Sequence, residues 1–208
     1  MLTRSRIRKV FANIPTLKTK RLTLRKLKPE DSEDMYEYSK IPEVSEYLLW
    51  SPHRSEDFTR DYLEQLQDQY RDGYFYDWAV VLPVRDGSSL YGVKQKMIGT
   101  CGFTSISLDN NAAEIGYVLN PAYWGYGFAP EAVMKVLEFG FEKMNFNRIE
   151  ARYIVGNDRS LRVMQKCGMT FEGVKRELLY VKGEYKDIGG CAILRREYDA
   201  MIKNKMSF

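Results

Sequence analysis

The sequence predicts a mixed α/β fold of the α+β kind, with a central, mostly antiparallel sheet of about seven strands flanked by about four helices. The middle of the chain carries three consecutive strand patterns joined by short turns, which indicates an antiparallel meander. A helical pattern then precedes the next strand, and two strand patterns near the end form a hairpin. With 208 residues, 44% of them hydrophobic, the chain has enough apolar material for one core.

The first third of the chain reads as one strand and two helices. Residues 20–27 alternate between apolar and polar side chains, which places Leu22 and Leu24 on one face of a strand. Pro29 and the acids around it suit a helix start, and this helix is expected to end at 39–41. A second helix is capped by Ser55 and ended by Gly73. Its apolar residues recur at helical spacing: Phe58, Tyr62, Leu63, Leu66 and Tyr70.

The meander follows. Strands are expected over residues 74–82, about 91–106 and 113–119, because these runs are rich in aromatic and β-branched residues. Asp86-Gly87 separates the first two runs and signals a hairpin turn, and residues 109–111 supply the next turn. The three strands are therefore predicted to pair antiparallel in chain order.

The last third alternates helices and strands. A helix is expected over about 129–144 and a strand over 148–155, parallel to the 113–119 strand because a helix connects the two. A short helix then starts at Asn157 and ends at Gly168. Strands over about 170–181 and 185–194 form the closing hairpin.

The charged residues are mixed along most of the chain, with a basic cluster near the N-terminus. The net charge of +4 arises from 32 basic and 28 acidic residues, too small and too mixed an excess to indicate nucleic-acid binding. Arg4, Arg6, Arg8 and Lys9 mark residues 1–14 as a basic N-terminal extension. A frayed, solvated terminus explains them better than a basic arm for a partner. Residues 15–200 are expected to form a single domain, with 201–208 as a tail.

Cysteine and histidine usage exclude several kinds of site. Cys101, Cys167 and Cys191 show no Cys-x-x-Cys spacing, which favours core thiols in a reduced, cytoplasmic protein. His53 is the only histidine, so no metal site is expected. Neither a signal peptide nor a membrane span is recognisable.

The segment from Glu114 to Ala129 is the most informative. An apolar strand breaks at Asn120-Pro121, passes Gly125 and Gly127, and enters an amphipathic helix. Glycines let a phosphate approach the main chain, and the helix start adds free N–H groups and its dipole. The alternative is an ordinary tight turn whose glycines satisfy geometry alone.

Several segments together resemble the GNAT superfamily of acyl-coenzyme A dependent N-acetyltransferases, and within it the RimJ/RimL branch. The resemblance covers about residues 15–198. It is carried by residues 19–25, 98–103, 113–117, 124–129, 157–160 and 166–169. In the family's loop pattern, Gln/Arg-x-x-Gly-x-Gly/Ala, Gly127 and Ala129 match, whereas Trp124 stands where Gln or Arg is usual.

The resemblance implies a GNAT fold whose sheet is splayed between the fourth and fifth strands, with acetyl-coenzyme A lying in that gap. The amides from Gly125 to Ala129 would bind the coenzyme's diphosphate, and a strand N–H, with Val118 as first candidate, would polarise the thioester carbonyl. The coenzyme-binding residues are then expected to be Tyr117, Val118, Leu119, Trp124, Gly125, Tyr126, Gly127, Phe128, Ala129, Asn157 and Ser160.

The resemblance also implies catalytic roles. Glu114 would act as the base that deprotonates the amine, the alternative being a surface or ion-paired glutamate. Many members protonate the coenzyme thiolate with a tyrosine, but Met164 occupies that position, so Ser160 is the candidate donor. Asn157 would hold the pantetheine arm, although Asn157 and Ser160 also suit an ordinary helix cap.

The acceptor pocket is expected between the early helices and the final hairpin. Tyr47, Leu48, Leu49, Trp50 and Tyr180 are candidates to line it, with Trp50 and Tyr180 foremost, although aromatic residues at such positions more often belong to a core.

The sequence thus favours an acetyl-coenzyme A dependent N-acetyltransferase working by direct attack in a ternary complex, without metal, nucleic acid or membrane. The acceptor would be a protein N-terminus or a small-molecule amine, and the protein a monomer or homodimer. A catalytically silent acyl-coenzyme A sensor is the alternative. A dinucleotide-binding protein fits less well, because Pro130 stands where the third glycine of that motif belongs.

Overall fold

The computed structural model describes residues 2–85 and 93–206. In this part of the chain, eight strands form one mixed sheet in the order β1-β2-β3-β4-β5-β6-β8-β7. The strands are β1 (Leu17–Lys18), β2 (Thr23–Arg25), β3 (Asp77–Arg85), β4 (Val93–Ser107), β5 (Ala112–Leu119), β6 (Arg148–Ile154), β7 (Thr170–Val181) and β8 (Glu184–Leu194). The predicted mixed, mostly antiparallel sheet is confirmed, with the two-residue β1 as an additional strand.

Seven α-helices in the described residues cover the sheet. They are α1 (Arg4–Ala12), α2 (Ser32–Ser39), α3 (Pro42–Ser45), α4 (Glu56–Asp72), α5 (Phe128–Glu138), α6 (Asp158–Lys166) and α7 (Arg195–Met206). The predicted ends of α4 are confirmed, since Ser55 accepts a hydrogen bond from Phe58 N and Gly73 is left-handed. Among the described helices, none combines the length and the hydrophobicity that a membrane-spanning helix requires.

The meander β3-β4-β5 is antiparallel, as predicted, which is not how a parallel dinucleotide-binding sheet begins. The Asp86-Gly87 turn lies outside the described residues. The first strand of the meander begins at Asp77 rather than at 74, because Tyr74 N still donates to Gln69 O at the end of α4. All three cysteines are buried thiols, as expected.

Two hydrophobic clusters cover the two faces of the sheet. The larger contains α1, α5 and inward residues of β3 to β6, with Trp78, Phe103 and Phe141 among its fully or nearly fully buried rings. The smaller packs α2 and α4 against the other face, around Leu63 and Tyr70. Adjacent residues of β5 divide between the clusters: Ile115 and Leu119 belong to the larger, and Val118 packs against the smaller.

The basic segment near the N-terminus forms helix α1, so the expectation that it is frayed and solvated is wrong. Thr3 caps α1, and Ile7 and Phe11 are buried, with Phe11 in edge contact with the Tyr76 ring at 4.7 Å. Arg8 Nε donates to Asp72 O, the carbonyl of the last residue of α4. Ile7 and Phe11 are one helical turn apart, an apolar signal that the surrounding charges obscure.

The predicted parallel pairing of β5 with β6 is confirmed, but it is short. The register joins Ala112, Ala113 and Glu114 to Arg148, Ile149 and Glu150. Beyond Glu114, β5 continues to Leu119 and β6 continues to Ile154, but the two strands no longer pair with each other. The two strands therefore diverge, which is the splay expected of the fold.

Candidate active site

A cavity of about 660 Å³ opens where β5 and β6 diverge. Its walls are the end of β5, the loop before α5, one face of α6 from Asp158 to Lys166, and residues 43–48 in and after α3. Of the residues predicted to bind a coenzyme, the lining includes Tyr117, Val118, Leu119, Trp124, Gly125, Gly127, Phe128, Ala129, Asn157 and Ser160. Tyr126 is the exception, because its ring is exposed outside the cavity.

The loop at one end of the cavity has the geometry of an anion site. Gly125 and Gly127 have φ angles of 84° and 80°, which other residues adopt only with strain. A Cβ at Gly125 would meet nothing within 4 Å, so the main chain there faces open space. Glu131 N donates to Gly127 O, which leaves the earlier Phe128 and Ala129 N–H groups without a helical acceptor. These features fit a phosphate group.

Hydrogen bonds of Arg21 and Glu131 support the loop. Arg21 Nη1 donates to Tyr126 O at 2.9 Å, and Arg21 Nε donates to Glu131 Oε2 at 2.6 Å. Thr19 Oγ1 donates to Glu131 Oε1, also at 2.6 Å. Burial alone would raise the pKa of Glu131, but the hydrogen bonds from Thr19 and Arg21 outweigh it and lower that pKa. Sequence reasoning noted residues 19–25 without recognising this supporting role.

The hydrogen-bond direction of β5 decides which of its amides face the gap. Asn120 N donates to Ile98 O at 2.8 Å. Bonded and non-bonded pairs alternate along an antiparallel ladder, so the next bonded pair is Thr100–Val118 and Val118 N–H points toward β4. An added Cβ at Gly99 would lie 2.1 Å from Val118 O, which places that carbonyl on the β4 side as well.

The amides of Tyr117 and Leu119 therefore point away from β4, into the gap. Leu119 O lies on that side too, since it accepts a hydrogen bond from Trp124 Nε1 at 2.8 Å. The expectation that Val118 N–H polarises a bound carbonyl is wrong for this strand direction. Val118 still lines the cavity, and the role of donor passes to its two neighbours.

A phenol and a hydroxyl meet inside the cavity. The Tyr117 hydroxyl donates to Ser160 O at 2.9 Å and lies 2.9 Å from Ser160 Oγ. Burial raises the pKa of Tyr117 well above its ordinary value, so its proton stays on near neutral pH. Asn157 caps α6 by accepting from Ser160 N at 3.1 Å, and Met164 is buried in the core. Sequence reasoning did not predict the contact between Tyr117 and Ser160.

Glu114 lies at the last pairing position of β5 with β6 rather than in the cavity lining. Both of its carboxylate oxygens accept from one guanidinium: Arg152 Nε at 2.9 Å and Arg152 Nη2 at 2.6 Å. Its side chain is 14% exposed. In this structure Glu114 thus has the ion-paired arrangement given above as its alternative.

An ion pair spans the cavity between α3 and α6. Arg159 Nη1 lies 2.7 Å from Glu43 Oε1, and the same guanidinium lies over the Trp124 ring at 4.5 Å from its centre. All three residues line the cavity. The indole of Trp124 is fixed by its hydrogen bond to Leu119 O.

The residues predicted for the acceptor pocket separate in the structure. Tyr47 and Leu48 line the cavity, whereas Leu49 is exposed. Trp50 lies outside the lining, next to the His53 ring at 5.5 Å. Tyr180 is exposed on the final hairpin and contacts the Tyr185 ring at 4.9 Å.

The described residues contain no group of three or more His, Cys, Asp or Glu side chains placed to hold a metal ion.

The comparisons with known proteins agree with this geometry. Residues 21–170 match the family described as "Acetyltransferase (GNAT) domain". The Bacillus licheniformis protein named "Uncharacterized N-acetyltransferase p20" is 36% identical over 183 residues, covering 88% of this chain and 98% of that protein. The "Putative ribosomal N-acetyltransferase YdaF" of Bacillus subtilis is 28% identical over 186 residues, covering 86% of this chain and 93% of that one.

A solved structure adds a fold comparison. The structure of RimL, a ribosomal L7/L12 alpha-N-protein acetyltransferase in complex with coenzyme A, is similar with a TM-score of 0.70 at 20% identity, over 86% of this chain and 98% of RimL. At that identity the likeness concerns the fold. The family match covers well over half of the sequence, and the p20 relative matches over nearly its whole length. The chain therefore belongs to the GNAT family of N-acetyltransferases and is an acyltransferase.

Proposed function

We propose that this acyltransferase moves the acetyl group of acetyl-coenzyme A to a primary amine by direct attack in a ternary complex. The observation that carries the proposal is the cavity between the diverging strands, because it joins an anion-binding loop to two outward strand amides. Main-chain donors at Gly125 to Ala129 suit a diphosphate. The amides of Tyr117 and Leu119 suit the polar groups of an extended pantetheine arm, which would lie along β5 as an added strand.

Acetyl-coenzyme A supplies a thioester whose carbonyl carbon is attacked by the amine nitrogen. A C–N bond forms, the C–S bond breaks, and the sulfur leaves with the electron pair of that bond. The amine must give up a proton and the sulfur must gain one. An amide of β5 aimed at the carbonyl oxygen would contribute about 3 kcal/mol to such a step.

We assign the proton transfers to Glu114 and Ser160. Glu114 would accept the amine proton, directly or through water, which requires Arg152 to release one carboxylate oxygen. Ser160 would donate to the sulfur, with Tyr117 positioning its hydroxyl. Glu114 and Tyr117, the partner of Ser160, point to opposite faces of β5. Glu114 lies on the face of Val118, and Tyr117 lies on the face of Ile115 and Leu119.

For the acceptor we propose a protein N-terminal α-amine, as in the RimJ/RimL branch, with the YdaF relative as the supporting comparison. A small-molecule amine is the competing acceptor class. We place the protein in the cytoplasm, as a monomer or homodimer, with a single catalytic domain whose core includes residues of α1 and α7.

A catalytically silent acyl-coenzyme A sensor is the second candidate. The observation that favours it is the bidentate ion pair that occupies Glu114. The two candidates share the coenzyme site and differ in turnover.

Two measurements test the proposal. Acetyl-coenzyme A, but not NAD, should raise the melting temperature, with a stabilisation of about 2.7 kcal/mol at 100 times its dissociation constant. No shift would contradict both candidates. Release of free thiol with N-terminal peptides, polyamines or other small amines then identifies the acceptor. Coenzyme binding without turnover on any of them favours the sensor.

A further inference from the structure

The anion-binding loop contains no cationic side chain. The residues that flank and separate its glycines are Trp124, Tyr126 and Phe128, so the loop itself offers a phosphate only main-chain donors and the helix dipole. Helix α6 faces the loop across the cavity. Three basic residues of α6 line that cavity at a spacing of three and four residues, which places them on one helical face: Arg159, Arg162 and Lys166.

Of these three residues, Arg159 stacks on an aromatic ring of the loop. The Cζ atom of Arg159 is 4.5 Å from the centre of the Trp124 ring. Trp124 directly precedes Gly125 in the chain. A guanidinium is planar and stacks on an aromatic face while its N–H groups remain available at its edge. The edge of Arg159 is occupied by Glu43, whose carboxylate oxygen lies 2.7 Å from Nη1.

The pair between Arg159 and Glu43 is exposed and exchangeable. The side chains are 62% and 54% exposed, respectively, and such pairs contribute little to stability. A diphosphate carries more negative charge than one carboxylate and would also engage the loop amides. Arginine binds phosphate oxygens through two parallel N–H donors, so a phosphate competes well for this edge.

We propose that Arg159 is the cationic residue that binds the diphosphate of the coenzyme, and that Glu43 occupies it in the free protein. Binding then exchanges one anion for another on a guanidinium that Trp124 keeps in place. Glu43 is displaced toward the acceptor side of the cavity, near Tyr47 and Leu48. This inference rests on the proposed function for the identity of the ligand.

The test is a double-mutant cycle on the dissociation constant for coenzyme A, measured by isothermal titration calorimetry. Arg159→Gln should weaken binding about tenfold, since it removes a charge-assisted contact. Glu43→Gln should tighten binding about two- to threefold, because it removes the competing carboxylate. In the double variant, the gain from Glu43→Gln should disappear.

Matched controls separate this exchange from general electrostatics. Glu46→Gln removes the same charge from the lining of the same cavity and should tighten binding less than Glu43→Gln. Glu56→Gln opens another solvent-accessible ion pair, with Arg60, outside the cavity, and should leave binding unchanged. Equal effects of Glu43→Gln and Glu46→Gln, or a gain that persists without Arg159, would overturn the exchange.

Truncated ligands identify the phosphate. Dephospho-coenzyme A keeps the diphosphate and lacks the 3′-phosphate, so Arg159→Gln should cost the same factor with it as with coenzyme A. Loss of the effect with dephospho-coenzyme A would assign Arg159 to the 3′-phosphate and overturn the diphosphate assignment. If the unmodified protein binds no coenzyme A at all, the proposed function fails. If it binds equally well with and without Arg159, only this inference fails.

Discussion

The proposed coenzyme side and the proposed acceptor side of the cleft are built in different ways. Most of the proposed coenzyme side comes from one continuous segment, β5 through the start of α5, in which main-chain amides and two glycines make the surface, and α6 lies across the cavity from it. The proposed acceptor side would be formed by α3 and the final hairpin, which are joined where Lys182 Nζ donates to Ser45 O. Segments far apart in the chain need long-range packing to meet. The first side is therefore readable from local sequence, and the second is not.

The largest expected effect is a loss of kcat on substitution of Glu114, which would act between the two sides. Glu114→Gln should lower kcat about 100-fold at neutral pH, because a general base contributes at least that much. The dissociation constant for coenzyme A should change less than twofold. Glu150→Gln is the matched control, since Glu150 is the β6 register partner of Glu114 and pairs with Arg148. An unchanged kcat in Glu114→Gln would leave the ion pair with Arg152 as a purely structural link.

The second effect tests whether the coenzyme side depends on its main chain. Gly125→Ala places a methyl group in the open space over the loop and should weaken coenzyme A binding about tenfold, because it blocks close approach. Gly183→Ala controls for strain: its φ of 85° matches the 84° of Gly125, and its added Cβ also meets nothing. Both variants should lose about 1 kcal/mol of stability. Equal coenzyme affinity in both would contradict the anion site.

The third effect concerns Glu131, which supports the loop from behind. Glu131→Gln should lower stability by about 1 kcal/mol near neutral pH, or about 2–4 °C in Tm. The folded protein lowers the pKa of this carboxyl, so its stabilisation is present above the unfolded pKa of 4.5 and is lost as pH falls through the folded pKa. The difference in Tm between the two proteins should therefore shrink from about pH 6 toward pH 3. A difference independent of pH would mean that the charge of Glu131 is unimportant.

The smallest effect lies on the acceptor side. Lys182→Met removes the contact between the hairpin and α3, and should raise the KM for the acceptor amine about twofold with the coenzyme A affinity unchanged. Lys186→Met, which opens an ion pair with Glu184 within the hairpin, is its control. A change in coenzyme affinity instead would show that the two sides are not independent.

The same difference between local and distant segments decides which features could be predicted from the sequence. The antiparallel meander, the α4 caps and the glycine loop before α5 follow from turn chemistry and periodicity within short windows. The other candidate coenzyme residues came from the resemblance to the GNAT superfamily. The side-chain partners do not follow from local sequence, because they come from distant segments: Arg152 lies 38 residues from Glu114, and Arg159 lies 116 residues from Glu43. Tyr117 and Ser160, 43 residues apart, were each identified, but their contact depends on how α6 packs beside β5.

The short ladder between β5 and β6 has one more consequence. Below the divergence, amides are held in strand pairs, whereas Tyr117 and Leu119 offer theirs to the open gap. In deuterated solvent these two amides should exchange faster than those of Ile115 or Val118, and a molecule lying along β5 should slow them. The exchange rates of these two backbone amides would therefore report whether a ligand occupies the cleft, without any attached probe.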